Sequence, residues 1–278
     1  MLIFKILYIF GFSRLFRLLF QRNRLTILIY HNPSKDAIEK HILFLQKNYT
    51  LLSLDEALIK LKGNCLPKYP LVITFDDGHV DNFKLLSTFK KYGVIPTIFL
   101  TSDIVCTEKP FWFNHKDQIQ LSGENLKKID NNVRLDLMKK SGFDSFKAKY
   151  REALSADEIL EMSSFVDFQC HTSTHPILPN CSEDVSFVEM SNSKLKLEKL
   201  LGRKVNGFAY PNGDYTDREI EYCADIGYKY AVTIDQDFNT SLTPRYMLKR
   251  IGTNDAESLE EFIIRSSGLW AWIKRRFS

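Results

Sequence analysis

The sequence predicts an α/β fold, a parallel barrel, on three observations. Short apolar runs rich in β-branched residues alternate with helical patterns along the chain, as in parallel β/α units. The 278 residues are long for one average domain but ordinary for an α/β barrel, and 44% hydrophobic against 26% charged residues supply a large core. The residues able to carry chemistry fall just after predicted strands, and barrels gather such positions on the face formed by the carboxyl ends of their strands. No internal repeat or low-complexity linker divides the chain. One domain is therefore expected over 25–268, flanked by a basic apolar segment at 1–24 and a basic aromatic tail at 269–278.

Taken in order, the first segment mixes Ile, Leu and Phe with Lys5, Arg14, Arg17, Arg22 and Arg24, and no acid precedes Asp36. Its uninterrupted apolar run, Ile6 to Phe12, is too short to span a bilayer, and no small-residue cleavage site follows it. It reads either as a basic amphipathic helix on an anionic membrane surface or as a helix packed on the barrel. Leu25–Tyr30 predicts the first strand, ending in His31-Asn32-Pro33. Residues 36–48 read as a helix. Another opens after Ser53, where Glu56 completes a capping box. A buried strand over 71–76 runs into Asp76-Asp77-Gly78. A helix near 81–92, stopped by Gly93, leads to a strand over Val94–Leu100. Residues 103–154, with Phe111-Trp112-Phe113 and many lysines, read as an irregular excursion over one face of the barrel. Ser155 and Glu158 form a second capping box, and Phe165–Cys170 is the next strand. A long helix over 183–201 ended by Gly202, a strand over 205–209, a helix over 216–226, a strand over 228–234, a short strand near 246–251 and a helix over 257–267 complete the alternation.

Two stretches carry chemistry. Asp76 and Asp77 are adjacent at a strand end, where side chains alternate between faces; only a twist or turn can bring both into one cleft, with one able to bind a metal and the other a proton. Alone, Asp-Asp-Gly reads first as an ordinary solvated turn. His171-Thr172-Ser173-Thr174-His175-Pro176 places two imidazoles four residues apart, and Pro176 favours a tight loop after a strand over a helix. Two imidazoles and one carboxylate make a three-ligand set that leaves a position for water on a divalent ion.

Thr74-Phe75-Asp76-Asp77-Gly78 and His171-Thr172-Ser173-Thr174-His175-Pro176 resemble the first two motifs of the polysaccharide deacetylases, the NodB-homology family of carbohydrate esterases. Phe208-Ala209-Tyr210-Pro211-Asn212-Gly213 resembles the third. The resemblance runs from about Leu25 to Gly268 and implies a distorted, incomplete (β/α) barrel of about seven strands. It implies further that Asp77, His171 and His175 hold a divalent metal, with Zn2+ expected, and that Asp76 is the general base. The backbone N–H of Asn212 would help to hold the oxyanion, unless the loop is an ordinary Pro-Asn-Gly turn.

Two departures bear on the site. Ala209 stands where the third motif carries the arginine that orients the base. Arg250, at the end of a late predicted strand, could take its place from elsewhere or be a surface charge. No histidine follows His175, so the family's C-terminal Leu-x-His motif is missing. His31 resembles the general-acid histidine of relatives whose motifs are circularly permuted; His79, directly after the Asp-Asp-Gly turn, is second choice. His41 lies within a predicted helix and His115 in the excursion.

The activity implied is hydrolytic removal of an acetyl group from an N-acetylated sugar of a glycan or lipid-linked precursor. An O-acetyl esterase using the same groups and a non-catalytic glycan-binding barrel are the alternatives. A net charge of +4 is too small to argue for nucleic acid. Five scattered cysteines form no Cys-x-x-Cys pair, so neither a zinc ribbon nor a disulfide framework is expected; Cys170, beside His171, reads as a core thiol. The tail Gly268–Phe277, with two tryptophans and three cations, repeats the composition of the N-terminus. A cytoplasmic enzyme, peripheral on the inner face of the membrane through both ends, is therefore expected.

Overall fold

The computed structural model describes residues 2–118, 123–143 and 145–277. Two short helices, α1 (Leu2–Ile9) and α2 (Phe12–Phe20), precede the first strand, β1 (Thr26–Tyr30). Ser34 caps α3 (Lys35–Asn48) by accepting from the Ala37 N–H at 3.2 Å. The two-residue β2 (Thr50–Leu51) follows, then α4 (Leu54–Lys62), capped by Ser53. Ser53 accepts from the Glu56 N–H at 3.3 Å, while the Glu56 carboxylate pairs outward with Lys60.

The central strand β3 (Pro70–Phe75) leads through a 3-10 turn at Val80–Leu85 into α5 (Leu86–Tyr92) and β4 (Thr97–Leu100). The strand expected from Val94 starts three residues later. The Val94 N–H closes the preceding helix on the Phe89 carbonyl, and Pro96 has no N–H to give a ladder.

The excursion is more regular than its sequence suggests, since it contains α6 (Gly123–Leu126) and α7 (Asn131–Lys140). Helix α8 (Ala156–Met162) opens on the complete Ser155–Glu158 capping box. Then come β5 (Asp167–Cys170), α9 (Glu183–Leu201), β6 (Gly207–Ala209), α10 (Asp217–Asp225), β7 (Tyr230–Val232), β8 (Ile251–Gly252), α11 (Leu259–Ser266) and α12 (Leu269–Phe277).

The strands form one parallel sheet in the order β7-β6-β5-β4-β3-β1-β8, with β2 added beside the start of β3. The sheet is curled into a half-barrel whose two edges meet where Asn239, beyond β7, bridges to Leu25 before β1, and through the segment entering β8. There Ala231 donates to the Arg245 carbonyl, Leu248 to Ala231, and Thr233 to Leu248. This explains why the late strand expected over 246–251 is reduced to two residues: its first part spends its hydrogen bonds on β7, as a lone bridge at Val232–Leu248, before Ile251–Gly252 turns to β1. The result is a distorted, incomplete (β/α) barrel.

Strands β1 and β3 are buried along their full length, as continuous apolar runs require when both faces of a parallel sheet are covered. The two faces separate into two clusters. Leu28, Tyr30, Ile73, Phe75, Ile98, Phe168 and Cys170 pack outward against helices. Ile27, Val72, Phe99, Ala209, Val232 and Leu248 fill the interior, with Leu54, Ala57 and Leu61 of α4 against them. Because side chains alternate along a strand, Val72 being interior places Thr74 and Asp76 on the interior side too.

The ends of the chain meet. Phe4 packs on Trp270 with ring centroids 4.8 Å apart, and Phe16 on Trp272 at 6.0 Å. The inner faces of α1 and α2 are thus docked, and both tryptophans lie between helices. That limits the reading of the tail as an aromatic membrane belt: Trp270 and Trp272 are half-buried against the N-terminal helices. Among the described residues no helix is long and apolar enough to cross a membrane.

Candidate active site

The site is assembled at the carboxyl ends of β1, β3, β5 and β6, with Arg250 just before β8 and Asp255 after it. Asp76 follows β3, and its N–H donates to the Tyr30 carbonyl at 3.0 Å, so the registered β1–β3 ladder continues to the catalytic face. Asp77 then takes a left-handed backbone, φ 73°, which aspartate tolerates better than most residues. This brings two consecutive carboxylates into one cleft despite the alternation of a strand. Gly78 follows with φ 80°, and a Cβ there would lie 2.5 Å from Leu100 Cδ2. Both its conformation and its contact with β4 therefore require glycine.

Asp76 is held by Arg250. Nη1 and Nη2 reach the two carboxylate oxygens at 2.7 Å each, the bidentate geometry that a planar guanidinium suits. Arg250 is itself fully buried. Its Nε donates to the Thr233 carbonyl at 2.8 Å, Nη1 also reaches Thr74 Oγ1 at 3.3 Å, and its Cζ lies 5.6 Å from the centre of the Phe99 ring. The segment after Leu248 thus supplies a cation where Ala209 has none. Burial opposes ionisation of Asp76, but the Arg250 charge and hydrogen bonds outweigh it and hold the carboxyl below the usual range.

Asp77, His171 and His175 converge, with one donor atom of each inside a 4.8 Å cluster. His171 follows β5 and lies 1% exposed. Its Nδ1 is 2.8 Å from the Ala209 carbonyl. A carbonyl only accepts, so Nδ1 carries a proton, and Nε2 is the nitrogen left to face the cluster. That Nε2 faces Asp77 Oδ1 at 3.5 Å, and His175 Nε2 faces the same oxygen at 3.4 Å. Burial pushes the His175 imidazole down to about 3, so it is neutral.

Asp77 Oδ1 is buried and accepts no hydrogen bond. An orphaned carboxylate oxygen facing the bare nitrogen of a neutral imidazole is unfavourable unless a cation lies between them. The donor set therefore fits a divalent metal. The loop holding the two histidines is pinned by Glu189 of α9, whose Oε2 accepts from the N–H groups of Ser173 and Thr174 at 2.9 Å each. Thr172 and His175 both take left-handed backbones, which the Pro-terminated loop reading anticipates better than a helix.

The remaining sequence-derived residues are placed as follows. His31 is exposed at the end of β1. Its N–H donates to Asp255 Oδ1 at 3.1 Å, and its carbonyl accepts from Asn82 Nδ2 at 3.0 Å. It lies near enough to Asp76 for its charge to favour that carboxylate's ionised form. His79 is buried, with Nε2 3.2 Å from Asp77 Oδ2, whereas His171 and His175 face Oδ1. Burial would lower the His79 pKa, but the bond to Asp77 carries it above its ordinary value. Asn212 has φ 57° in the turn after β6, and its side-chain amide donates to Asp214 at 2.6 Å. Cys170 is fully buried, and burial pushes its thiol up to about 11; it is a core residue, neither ligand nor nucleophile.

The residues that sequence reasoning left without a role form the upper wall. Phe111 packs on His79 and Phe113 on His175, each with centroids 4.8 Å apart. Trp112 Nε1 donates to the His175 carbonyl at 2.8 Å, with Arg134 stacked on its indole at 4.2 Å. The aromatic run was the only local signal that this excursion belongs to the site. Glu189 and Asp255 had none, because each acts on backbone distant in sequence.

Comparison with known proteins gives a consistent result. Residues 63–231 match the sequence profile of the family described as polysaccharide deacetylase. The chain is 24% identical over 251 residues to YxkH of Bacillus subtilis, a protein named for that activity, covering 86% of this chain and 75% of YxkH. The solved structure of the Streptococcus pyogenes deacetylase PplD in complex with acetate superposes with a TM-score of 0.66 at 22% identity, over 88% of this chain and 99% of PplD. IcaB of Ammonifex degensii superposes at 0.61 and 18% identity, over 91% and 98%. At these identities the two structures share the fold.

Proposed function

We propose, for a chain that belongs to the polysaccharide deacetylase family, that it removes the acetyl group of an N-acetylated sugar in a glycan or glycan precursor, using a divalent metal, Zn2+ by donor type. The observation that carries this reading is the convergence of Asp77, His171 and His175 beside a separately held carboxylate, Asp76. Three nitrogen and oxygen donors suit a catalytic zinc site, which leaves a coordination position open. Such an ion, when bound, lowers the pKa of water and polarises a carbonyl.

The chain's own groups divide the proton work. Arg250 keeps Asp76 ionised and fixes its orientation, so Asp76 accepts the proton of the attacking water. As the water oxygen bonds to the acetyl carbon and the carbon–nitrogen bond breaks, His31 delivers a proton to the departing amine. Asp255 anchors the His31 backbone for that task. The Asn212 backbone N–H stands at the third-motif turn as a donor for the oxyanion, and Phe111 and Phe113 shield the site from bulk water.

The test joins metal analysis with acetate release from N-acetylhexosamine oligomers. Asp77→Ala, His171→Ala and His175→Ala should lose bound metal and turnover together, whereas Asp76→Asn should keep the metal and lose about 10²–10⁴-fold in rate. Full metal occupancy and turnover in any of the three ligand variants would overturn the assignment.

A further inference from the structure

The outer face of the first two helices is apolar and, among the described residues, uncovered. Leu2, Ile9 and Phe10 expose 73, 75 and 72% of their surface, and Leu15 and Leu19 expose 54 and 66%. Phe4 and Phe16 already fix these helices to α12, so the exposed side chains belong to docked elements with an inner face of their own. Apolar surface of this continuity marks an interaction site.

Cations rim the patch. Arg14, Arg22 and Arg24 are exposed on and after α2, and Lys274 and Arg276 on α12, where Arg275 is paired with Asp237 at 3.1 Å. No carboxylate occurs before Asp36. Within the patch, a groove of about 480 Å³ opens between the α1–α2 turn, α3 and α11. Its walls include Tyr8, Ile9, Arg14, Arg17, Asn48 and Tyr49. Arg17 is held over the rings of Tyr49 and Tyr69, at 5.3 and 5.6 Å. The groove thus has an apolar lip with guanidinium, amide and hydroxyl donors inside.

We propose that this face lies on an anionic lipid bilayer, with the apolar side chains of α1 and α2 in the interface and the Arg14–Arg17 groove holding a headgroup phosphate. Apolar residues backed by a basic rim are what an interfacial helix requires, and clustered arginine and lysine add attraction to an anionic leaflet. A second copy of the chain fits less well. A two-fold contact sets the same patch against itself and would bring Arg14, Arg22 and Arg24 against their own counterparts with no acid in the segment to offset them. The catalytic residues lie at the strand carboxyl ends, whereas Gln21, just after α2, bonds to Thr26 at the start of β1. The strand ends that carry the chemistry are therefore opposite the end of the barrel at which the patch joins it.

The full chain is to be sedimented with vesicles of phosphatidylcholine alone and of phosphatidylcholine mixed with phosphatidylglycerol, at low and high salt. Binding to the anionic vesicles at low salt, weakened by salt, is expected. Arg14→Gln, Arg22→Gln and Arg24→Gln should each lower vesicle affinity about fivefold. Ile9→Ser/Phe10→Ser should lower it further, with the thermal transition and turnover on a soluble aryl acetate unchanged. No binding to anionic vesicles at low salt, or equal binding to both compositions, overturns the proposal. So does a concentration-dependent dimer in sedimentation velocity that Ile9→Ser/Phe10→Ser abolishes.

Discussion

Replacing Arg250 by methionine probes stability and chemistry at once. The wild-type guanidinium makes two 2.7 Å bonds to a carboxylate that is 3% exposed. Hydrogen bonds to charged groups contribute about 1.5–3 kcal/mol each, and removing one partner of a buried ion pair costs about 3–5 kcal/mol because the other charge is stranded. Arg250→Met should therefore lose about 4 kcal/mol at neutral pH, lowering the melting temperature on the order of 10 °C.

The pH dependence has a definite sign. In the wild type the folded Asp76 pKa lies below its unfolded value. The stability from the pair is then complete above about pH 4, the unfolded value, and is lost as pH falls through the folded one. In Arg250→Met, burial of Asp76 is opposed only by the charges of His171 and His31, so its pKa rises from the wild-type position. The stability gap between the two proteins should be widest near neutrality and should narrow on acidification. By the same argument the acid limb of the kcat/KM profile moves to higher pH, because the base must be ionised. Chemical denaturation across pH, with acetate release on the same samples, measures both. Asp76→Leu/Arg250→Met should recover most of the lost stability while remaining inactive, since no lone charge stays buried. An Arg250→Met protein with wild-type stability at pH 7, or with an unmoved acid limb, would refute the pairing as the source of both effects.

His31→Ala should slow amide substrates about 10²–10⁴-fold while sparing activated aryl acetates, whose leaving groups need no proton; equal slowing of both would assign His31 a structural role. His79→Leu should weaken metal affinity about 10–100-fold, as loss of a partner behind a ligand does, and His79→Gln, which keeps a donor for Asp77 Oδ2, should restore part of it. Chelator competition reads both, and an unchanged affinity in His79→Leu would reduce His79 to packing against Phe111.

How much of this was legible in the sequence depended on distance along the chain. Asp76-Asp77-Gly78 and His171–His175 are contiguous, so the chemistry of each could be read in place, and the alternation of apolar runs with capped helices fixed the fold class. Ser155 and Glu158 spelled out a cap in four residues and the structure closes it. Arg250 was visible only through the alanine at 209: a missing cation prompted a search for another. His79 shows the opposite limit. It lies two residues from Asp77 in sequence, yet only the left-handed backbone at Asp77 reveals which oxygen it meets. Asp255 holds the His31 N–H from 224 residues away, and no periodicity or motif encodes such a contact. Strand lengths failed at the barrel seam for a related reason. Residues 246–251 read as one short strand, but the half-barrel's two edges compete for their hydrogen bonds.

The place of β8 beside β1 also sets an order of events during folding. Strand β1 is made early, yet one of its two ladder partners is β8, so one edge of β1 has no partner until more than two hundred residues have followed it. Asp77, His171 and His175 are all present by residue 175, whereas Arg250, the partner of Asp76, arrives just before the last strand. Closing so long a loop is slow, and an unpaired strand edge in the meantime invites association with other chains. In refolding, metal capture should precede turnover, and turnover should rise with amide-exchange protection at Ile251. Turnover that appears before that protection would mean that the base is tethered before the barrel is closed.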